Sequence, residues 1–209
     1  LINGSCGIEE IVSYMQEDEF FMKELKYMLQ PVVKIPEIKL PSDTITVAVH
    51  IRKGGGYDQA LSSLQYYKRD MISKRFYADK RWPRKFPPEQ YYADQIIKIS
   101  ELLSDQPLFI YIFTDDRNPT GLVNRIKKAV NKSNITYSCR SRGNTYKTHV
   151  VEDLYNMARF DCLIRSGSSF AVAAQLLGNH KIVIYPKSLQ WEGRKLIANE
   201  VTILDNRKY

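Results

Sequence analysis

Apolar residues recur at helical spacing near the start of the chain and form a strand pattern further on. The helical pattern covers residues 8–30 and stops at Pro31, which predicts a single helix. Residues 31–41 contain three prolines and predict an extended connector. Residues 44–51 form a β-branched run followed by the glycines at 54–56, which predicts a buried strand and a glycine loop.

The rest of the chain alternates short apolar runs with segments of helical period. We predict further strands over 108–113, 135–138, 161–164, 181–185 and 200–204. We predict helices over 89–103, 118–130, 151–159 and 171–177, with Asn118-Pro119 as a helix start and Gly178 as a helix stop. This alternation predicts an α/β fold with a Rossmann-like, mainly parallel sheet and helices on both faces.

The chain of 209 residues is long enough for one domain with an appendage. We therefore expect an N-terminal helix and linker over 1–40 and the sheet domain over 41–209. A segment rich in basic and aromatic residues, 59–88, interrupts that domain after its first strand.

Ligands of such sheets bind at the carboxyl ends of the strands. Three polar segments follow predicted strands, at 50–56, 114–116 and 165–169, and we expect them on the same edge of the sheet. In the first, Arg52 and Lys53 leave a buried strand just before three glycines. An arginine there can grip a phosphate with two hydrogen bonds, but the same residues suit a solvated strand end. No P-loop and no GxGxxG pattern occurs.

The other two segments also leave alternatives open. Ser166, Ser168 and Ser169 lie between a strand and a helix, where their amides and hydroxyls can bind an anion or simply cap the helix. Asp115 and Asp116 could chelate a divalent metal. Adjacent side chains of a strand point to opposite sides, which favours one aspartate accepting backbone hydrogen bonds and the other capping the next turn. The three histidines have no zinc spacing, so we expect no metal.

Charge favours anionic partners. Lys and Arg number 31 against 23 Asp and Glu, giving a formal charge of +8. Basic residues concentrate in 68–85, between aromatic side chains, a mixture that also suits single-stranded nucleic acid. We rank a surface or acceptor loop above nucleic acid and expect no nucleic-acid partner.

Few cysteines and no membrane-spanning apolar run are found in the chain. Three scattered cysteines favour a reducing compartment. We therefore expect a cytoplasmic protein without a membrane segment. The alternative is the Golgi or secretory lumen, if an upstream anchor is missing from this chain.

Three motifs occur in an order that resembles the superfamily of α1,2-, α1,6- and protein O-fucosyltransferases. Residues 47–54, Val-Ala-Val-His-Ile-Arg-Lys-Gly, resemble its His-X-Arg-Arg motif. Residues 113–116, Phe-Thr-Asp-Asp, resemble its second motif. Residues 152–171 resemble the third, in which an acidic-led helix, an aspartate and an apolar strand precede a Ser-Ser pair.

The resemblance implies the C-terminal half of a GT-B glycosyltransferase, which binds GDP-fucose as donor substrate and needs no cofactor. Residues 1–40 would then be a remnant or the edge of an upstream acceptor domain. It implies an inverting, metal-independent transfer of fucose to a glycan or other hydroxyl acceptor.

Roles follow position by position from the same resemblance. Arg52 matches the arginine that binds the β-phosphate and stabilises the departing GDP. His50 matches a histidine near the nucleoside, and Asp153 the aspartate that reads the guanine edge. The remaining donor-site residues implied are Lys53, Gly54, Asp115, Asp116, Ser166, Ser168 and Ser169. Asp58, just past the glycine loop, is our candidate base for the acceptor hydroxyl.

The chain departs from the family pattern at two positions and in length. Lys53 stands where many relatives have a second arginine, and Gly55 replaces a usual acidic residue. About 43 residues precede the first strand, too few for a second α/β domain. The alternatives are a non-catalytic nucleotide-sugar or phosphate-binding module, a transferase for another sugar, and a nucleic-acid-binding protein acting through 59–86.

Overall fold

A computed structural model describes residues 8–53, 83–141, 149–192 and 195–208 of the chain. Its helices are α1 Ile8–Glu17, α2 Glu19–Met28, α3 Glu89–Leu102, α4 Pro119–Val130, α5 Val150–Met157 and α6 Ser169–Leu177. Its strands are β1 Ile45–Ile51, β2 Leu108–Thr114, β3 Ile135–Cys139, β4 Cys162–Ile164, β5 Ile182–Glu192 and β6 Lys195–Asp205. Short 3-10 turns occupy Pro83–Lys85 and Asn206–Lys208.

The strands form one sheet in the order β3-β2-β1-β4-β5-β6. All neighbours are parallel except β5 and β6, which pair antiparallel. The prediction of an α/β fold with a mainly parallel sheet is therefore confirmed. The last two strands are longer than predicted, because β5 and β6 continue pairing beyond the rest of the sheet.

Helices cover both faces of this sheet. On one face α3 and α4 pack over alternate residues of β1 and β2, including Val47, Val49 and Ile110. On the other face α5 and α6 pack over the intervening residues, including Ala48 and Phe113. Because a strand alternates its side chains between faces, one apolar run supplies both cores.

The order of the strands reverses beside β1. After β1 the chain builds outward through β2 and β3, with α4 between them, and then returns to place β4 on the other side of β1. Open α/β sheets bind ligands in the crevice outside the strand ends at such a reversal. The carboxyl ends of β1 and β4 therefore flank the expected ligand crevice.

The N-terminal helical segment differs from the prediction of one helix. Asp18 separates α1 from α2 because its backbone is extended and its Oδ1 accepts a hydrogen bond from the amide of Phe21 at 2.8 Å. This is the N-cap interaction that starts a new helix. The single-helix prediction over 8–30 was therefore wrong at this residue.

The connector after α2 is bound to the sheet domain. Asn156 of α5 accepts the amide of Ile38 through its Oδ1 at 2.8 Å and donates through its Nδ2 to the carbonyl of Pro36 at 2.9 Å. Ile38 and Leu40 pack against the core between the sheet and α5. None of the helices in the described part of the chain is long and apolar enough to cross a membrane.

Candidate functional site

The carboxyl rim, the edge where the parallel strands end, collects the three polar segments predicted there. Arg52 and Lys53 follow β1, Asp115 and Asp116 follow β2, and Ser166 lies just after β4. These strands are neighbours in the order β2-β1-β4. The prediction that the segments share one edge of the sheet is confirmed.

Asp115 joins the ends of β1 and β2. Its Oδ1 accepts a hydrogen bond from the amide of Lys53 at 2.6 Å, and its Oδ2 lies 4.0 Å from Nη1 of Arg52. The carboxylate therefore fixes the backbone where the chain leaves β1 and lies beside the guanidinium. The side chain of Arg52 is 25% exposed, so this cation still borders solvent at the rim.

Asp116 has a different role. Its Oδ1 accepts a hydrogen bond from the amide of Asn118 at 2.7 Å, in the turn that precedes α4. One aspartate thus holds a strand end and the other caps a turn, the arrangement that strand geometry favoured over joint metal binding. The described residues contain no group of three or more His, Cys, Asp or Glu side chains able to hold a metal ion.

Lys53 points to an acidic partner on α3. Its Nζ lies 2.7 Å from Oε1 of Glu89, and Arg125 of α4 contacts the same carboxylate at 2.8 Å. Hydrogen bonds from Arg125 and Lys53 lower the pKa of Glu89 to about 2 despite its partial burial. The amine of Lys53, predicted to bind the donor, is in this structure part of an ion-pair network.

His50 is buried near the end of β1, only 6% exposed. Its ring lies against Phe170 with centroids 5.6 Å apart, and its Nδ1 is 3.4 Å from Oγ of Ser166. Burial lowers the pKa of His50 to about 4, Asp115 opposes the shift, and Arg52 and Arg165 add to it. The ring is therefore neutral at pH 7 and connects the end of β1 to the segment that follows β4.

The serine segment, residues 166–169, follows β4 and Arg165. Ser166 and Ser168 are buried, and Ser169 is the exposed first residue of α6. Ser168 is the N-cap residue, but its side chain makes no capping hydrogen bond. The helix-cap alternative therefore does not account for the hydroxyl of Ser168.

Gly167 brings the 3-10 turn close to this segment. Its amide donates to the carbonyl of Arg84 at 2.7 Å. A Cβ on Gly167 would lie 2.9 Å from Cβ of Arg84 and 3.2 Å from that residue's carbonyl carbon. The glycine is thus needed for the approach of residue 84, and its amide is already bound.

Asp153 is carried by a helix and not by a strand end, in the first turn of α5. Asp153 is 2% exposed, and its Oδ1 accepts a hydrogen bond from Nε of Arg140 at 2.8 Å. Arg140, which directly follows β3, also donates to Glu152 at 2.8 Å. Asp153 and Arg140 line one small cavity together with Phe113 and Thr114, so Asp153 lies beside the carboxyl end of β2.

Sequence analysis assigned no role to two groups of the site, although one of them, Arg165, belongs to the predicted polar segment 165–169. Arg165 is fully buried directly after β4, and its Nε donates to Oε1 of Gln175 at 2.7 Å. The sequence held one indication of a buried polar contact here: Gln175 is the one amide side chain in an otherwise apolar stretch of α6. Arg140 was the other, and only the pairing of β3 beside β2 places it near Asp153.

Some predicted residues lie outside the described part of the chain. These are Gly54, Asp58 and most of the basic and aromatic insertion, residues 59–82. Their roles, and the nucleic-acid alternative that depends on the insertion, stay predictions.

Solved structures to which the chain is similar include POFUT1 in complex with GDP-fucose, at 15% identity and a TM-score of 0.43. The match covers 76% of this chain and 42% of that chain. The fucosyltransferase NodZ from Bradyrhizobium is similar at 14% identity and a TM-score of 0.39, over 79% of this chain and 42% of that chain. The match thus covers less than half the length of each of these structures. No family model matches the chain, and no curated protein matches it.

Proposed function

We propose that this chain is the donor-binding half of a GT-B fucosyltransferase, which transfers fucose from GDP-fucose to a hydroxyl of a glycan or other acceptor. The observation that carries the proposal is the junction of β1 and β4. There a rim arginine, a neutral buried histidine and a serine segment opening a helix meet at the reversal of the strand order. The choice of donor follows the three sequence motifs that these residues occupy.

Fucosyl transfer with inversion builds negative charge on the departing diphosphate. Groups that are already aimed at that charge lower the barrier most. Arg52 borders solvent beside Asp115, and the first turn of α6 offers amides and hydroxyls at its positive end. In this proposal Arg52 and the helix take the charge that a metal ion would otherwise take, so the reaction is metal-independent.

Guanine recognition is assigned to Asp153. Guanine presents two neighbouring N–H donors, which match the two oxygens of one carboxylate. Arg140 holds the carboxylate of Asp153 in place from one side. In this proposal the base lies near Asp153, beside the end of β2, and the diphosphate near Arg52, directly after β1, on the same edge of the sheet.

The acceptor hydroxyl also needs a base. Asp58 is our candidate, on its sequence position directly after the glycine loop.

A second candidate function is nucleotide-sugar binding without transfer. The amine of Lys53 is bound to Glu89, and the amide of Gly167 to Arg84. Lys53, which the first motif assigns to the donor, and one amide of the serine segment are thus engaged within the protein. This favours a binding module if neither contact changes when a nucleotide enters.

Calorimetric titration of the chain with GDP and with UDP, each with and without a chelator, tests the proposal. We expect GDP to bind in both buffers and UDP not to bind. Arg52→Ala should weaken GDP about 100-fold, because a bidentate pair of charged hydrogen bonds contributes about 3 kcal/mol. Hydrolysis or transfer of GDP-fucose in the presence of acceptors would then separate the transferase from the binding module.

Arg207→Ala is the matched control, since it removes one arginine beside the start of β5, at the edge of the sheet opposite the rim. It should leave GDP affinity unchanged. Wild-type GDP affinity in Arg52→Ala, or binding that disappears with the chelator, would refute the assignment.

A further inference from the structure

Arg165 is the largest fully buried side chain among the described residues, with 0% of its surface exposed. Removing a guanidinium from water is costly unless its donors and its charge are well accommodated. The burial of Arg165 therefore requires a physical explanation. Arg165 is the first residue after β4 and directly precedes the serine segment.

The contacts of the guanidinium fix it from three sides. Its Nε donates to Oε1 of Gln175 at 2.7 Å, and its Nη1 donates to the carbonyl of Ser166 at 3.2 Å. Its Cζ lies 4.1 Å from the centre of the Tyr185 ring, which is a cation–π contact. The planar group thus joins α6, β5 and the start of the serine segment.

The backbone of Arg165 is fixed as well. Its amide donates to the carbonyl of Ile184 at 2.9 Å, and its own carbonyl accepts a hydrogen bond from the hydroxyl of Tyr91 at 3.2 Å. Elements from both faces of the sheet therefore hold this one residue. A side chain so constrained has little freedom to move when a ligand binds.

The charge of Arg165 reaches the rim site. It is one of the groups that lower the pKa of His50, after burial and together with Arg52. Its hydrogen bond to the Ser166 carbonyl also fixes the residue whose hydroxyl lies 3.4 Å from the His50 ring. Arg165 thus acts on the site by charge and by geometry.

We propose that Arg165 is a positioning residue for the diphosphate of the donor. It holds the serine segment in its anion-binding form and places a fixed positive charge behind it. This inference rests on the proposed function, because it takes the carboxyl rim to be the diphosphate site. Arg165 itself does not touch the ligand, so its effect reaches the diphosphate through Ser166 and through its field.

The test compares GDP with guanosine, which has the same base and sugar but no phosphate. Arg165→Met removes the charge at similar volume, and Arg165→Lys keeps the charge but loses the planar fork. We expect Arg165→Met to weaken GDP at least about tenfold while guanosine affinity stays at the wild-type value, which is the response to a lost charge near phosphate. Arg165→Lys should recover part of the GDP affinity, because the charge remains while the planar fork is lost.

A purely structural role would weaken both ligands equally. Equal losses for GDP and guanosine, or no loss for GDP, overturn the proposal for Arg165 while the proposed function stands. A wild-type chain that binds neither ligand overturns both. Arg207→Met, at the opposite edge of the sheet, removes the same charge and should change neither affinity.

Gln175→Met keeps the test decisive if Arg165→Met does not fold. This variant retains the buried charge and removes the acceptor of Nε. We expect a smaller, GDP-selective loss of about threefold, as for one weakened hydrogen bond. Unchanged GDP affinity in both Gln175→Met and Arg165→Lys overturns the positioning role.

Discussion

Asp115 organises the rim site through its two oxygens. One oxygen accepts the amide of Lys53, and the other lies beside the guanidinium of Arg52. The carboxylate therefore orients the arginine before any ligand arrives. The negative charge of Asp115 also partly offsets the positive charge of Arg52. A bound diphosphate can replace Asp115 as the anionic partner of this guanidinium.

His50 makes the stability of the protein depend on pH. Its pKa falls from 6.5 to about 4 on folding. Between these values the unfolded chain binds a proton at this ring and the folded chain does not, so acid favours unfolding. We expect His50 to contribute a loss of roughly 3 kcal/mol in the free energy of unfolding from pH 7 to pH 4. Urea titrations across that range measure the loss.

His50→Gln is the variant that isolates this effect. Between pH 6.5 and 4, the free energy of unfolding of this variant should depend less on pH than that of the wild type. Some dependence should remain, because burial also lowers the pKa of His180. Glu89 affects stability at lower pH. Because its pKa is lowered from 4.5 to about 2 on folding, its contribution to the free energy of unfolding is lost as the pH falls from 4.5 towards 2. An unchanged slope between pH 6.5 and 4 in His50→Gln would contradict a buried neutral ring.

At the scale of elements, the serine segment and the 3-10 turn Pro83–Lys85 form one unit. Arg84 accepts the amide of Gly167, and its Nη1 donates to the carbonyl of Lys187 on β5 at 3.4 Å. The turn thus covers the start of α6 and the adjacent strand. It is also the point where the insertion after β1 rejoins the described fold.

Gly167→Ala tests whether this close approach stabilises the fold. The new Cβ would lie within 3.2 Å of backbone atoms of Arg84, which cannot rotate away as a side chain can. We expect the free energy of unfolding to fall by about 2 kcal/mol, as for other overpacked sites. Denaturant titration followed by circular dichroism measures it.

Ser169→Ala is the matched control for stability, because it changes an exposed side chain two residues further on. Its free energy of unfolding should stay within about 0.5 kcal/mol of the wild type. Gly167→Ala with the stability of the control would mean that the 3-10 turn can move away at little cost.

On the scale of the whole molecule, the N-terminal helices are attached to the sheet domain at several points. Lys26 of α2 donates to Oδ1 of Asn179 at 2.6 Å, just past the end of α6. Arg159 forms an ion pair with Glu37 at 2.9 Å. With the contacts of Asn156 to the connector, these interactions bind residues of the predicted appendage 1–40 to the sheet domain.

Asn156→Ala should loosen this attachment. Asn156 is 1% exposed, and its loss leaves the amide of Ile38 and the carbonyl of Pro36 without their side-chain partner. We expect unfolding to become easier by about 3 kcal/mol, the sum for two such groups. Relative to the wild type, amide hydrogen exchange in this variant should accelerate more over residues 34–41 than over β1.

Asn124→Ala serves as its control, since Asn124 is exposed on α4. It should change neither the free energy of unfolding nor the exchange of the connector. If exchange over 34–41 were the same in both variants, Asn156 would not be the anchor of this segment.

Local pattern was sufficient for most elements and for the position of the rim residues. The β-branched run of β1 and the Asn118-Pro119 start of α4 depend on neighbours in sequence, so their positions were predictable. The break at Asp18 was missed because one polar residue between two apolar segments does not distinguish a helix surface from a cap. The lengths of β5 and β6 were missed because antiparallel pairing is a property of two strands together.

The sequence by itself determined the α/β class, the carboxyl-rim location of the polar segments and the separate roles of Asp115 and Asp116. These depend on the alternation of side chains along a strand and on the parallel direction of the strands. Only the tertiary structure decided which groups meet: Lys53 with Glu89, Asp153 with Arg140, and Gly167 with Arg84. These pairs join residues that are distant in sequence or carried by different elements, and strand order and helix packing bring them together.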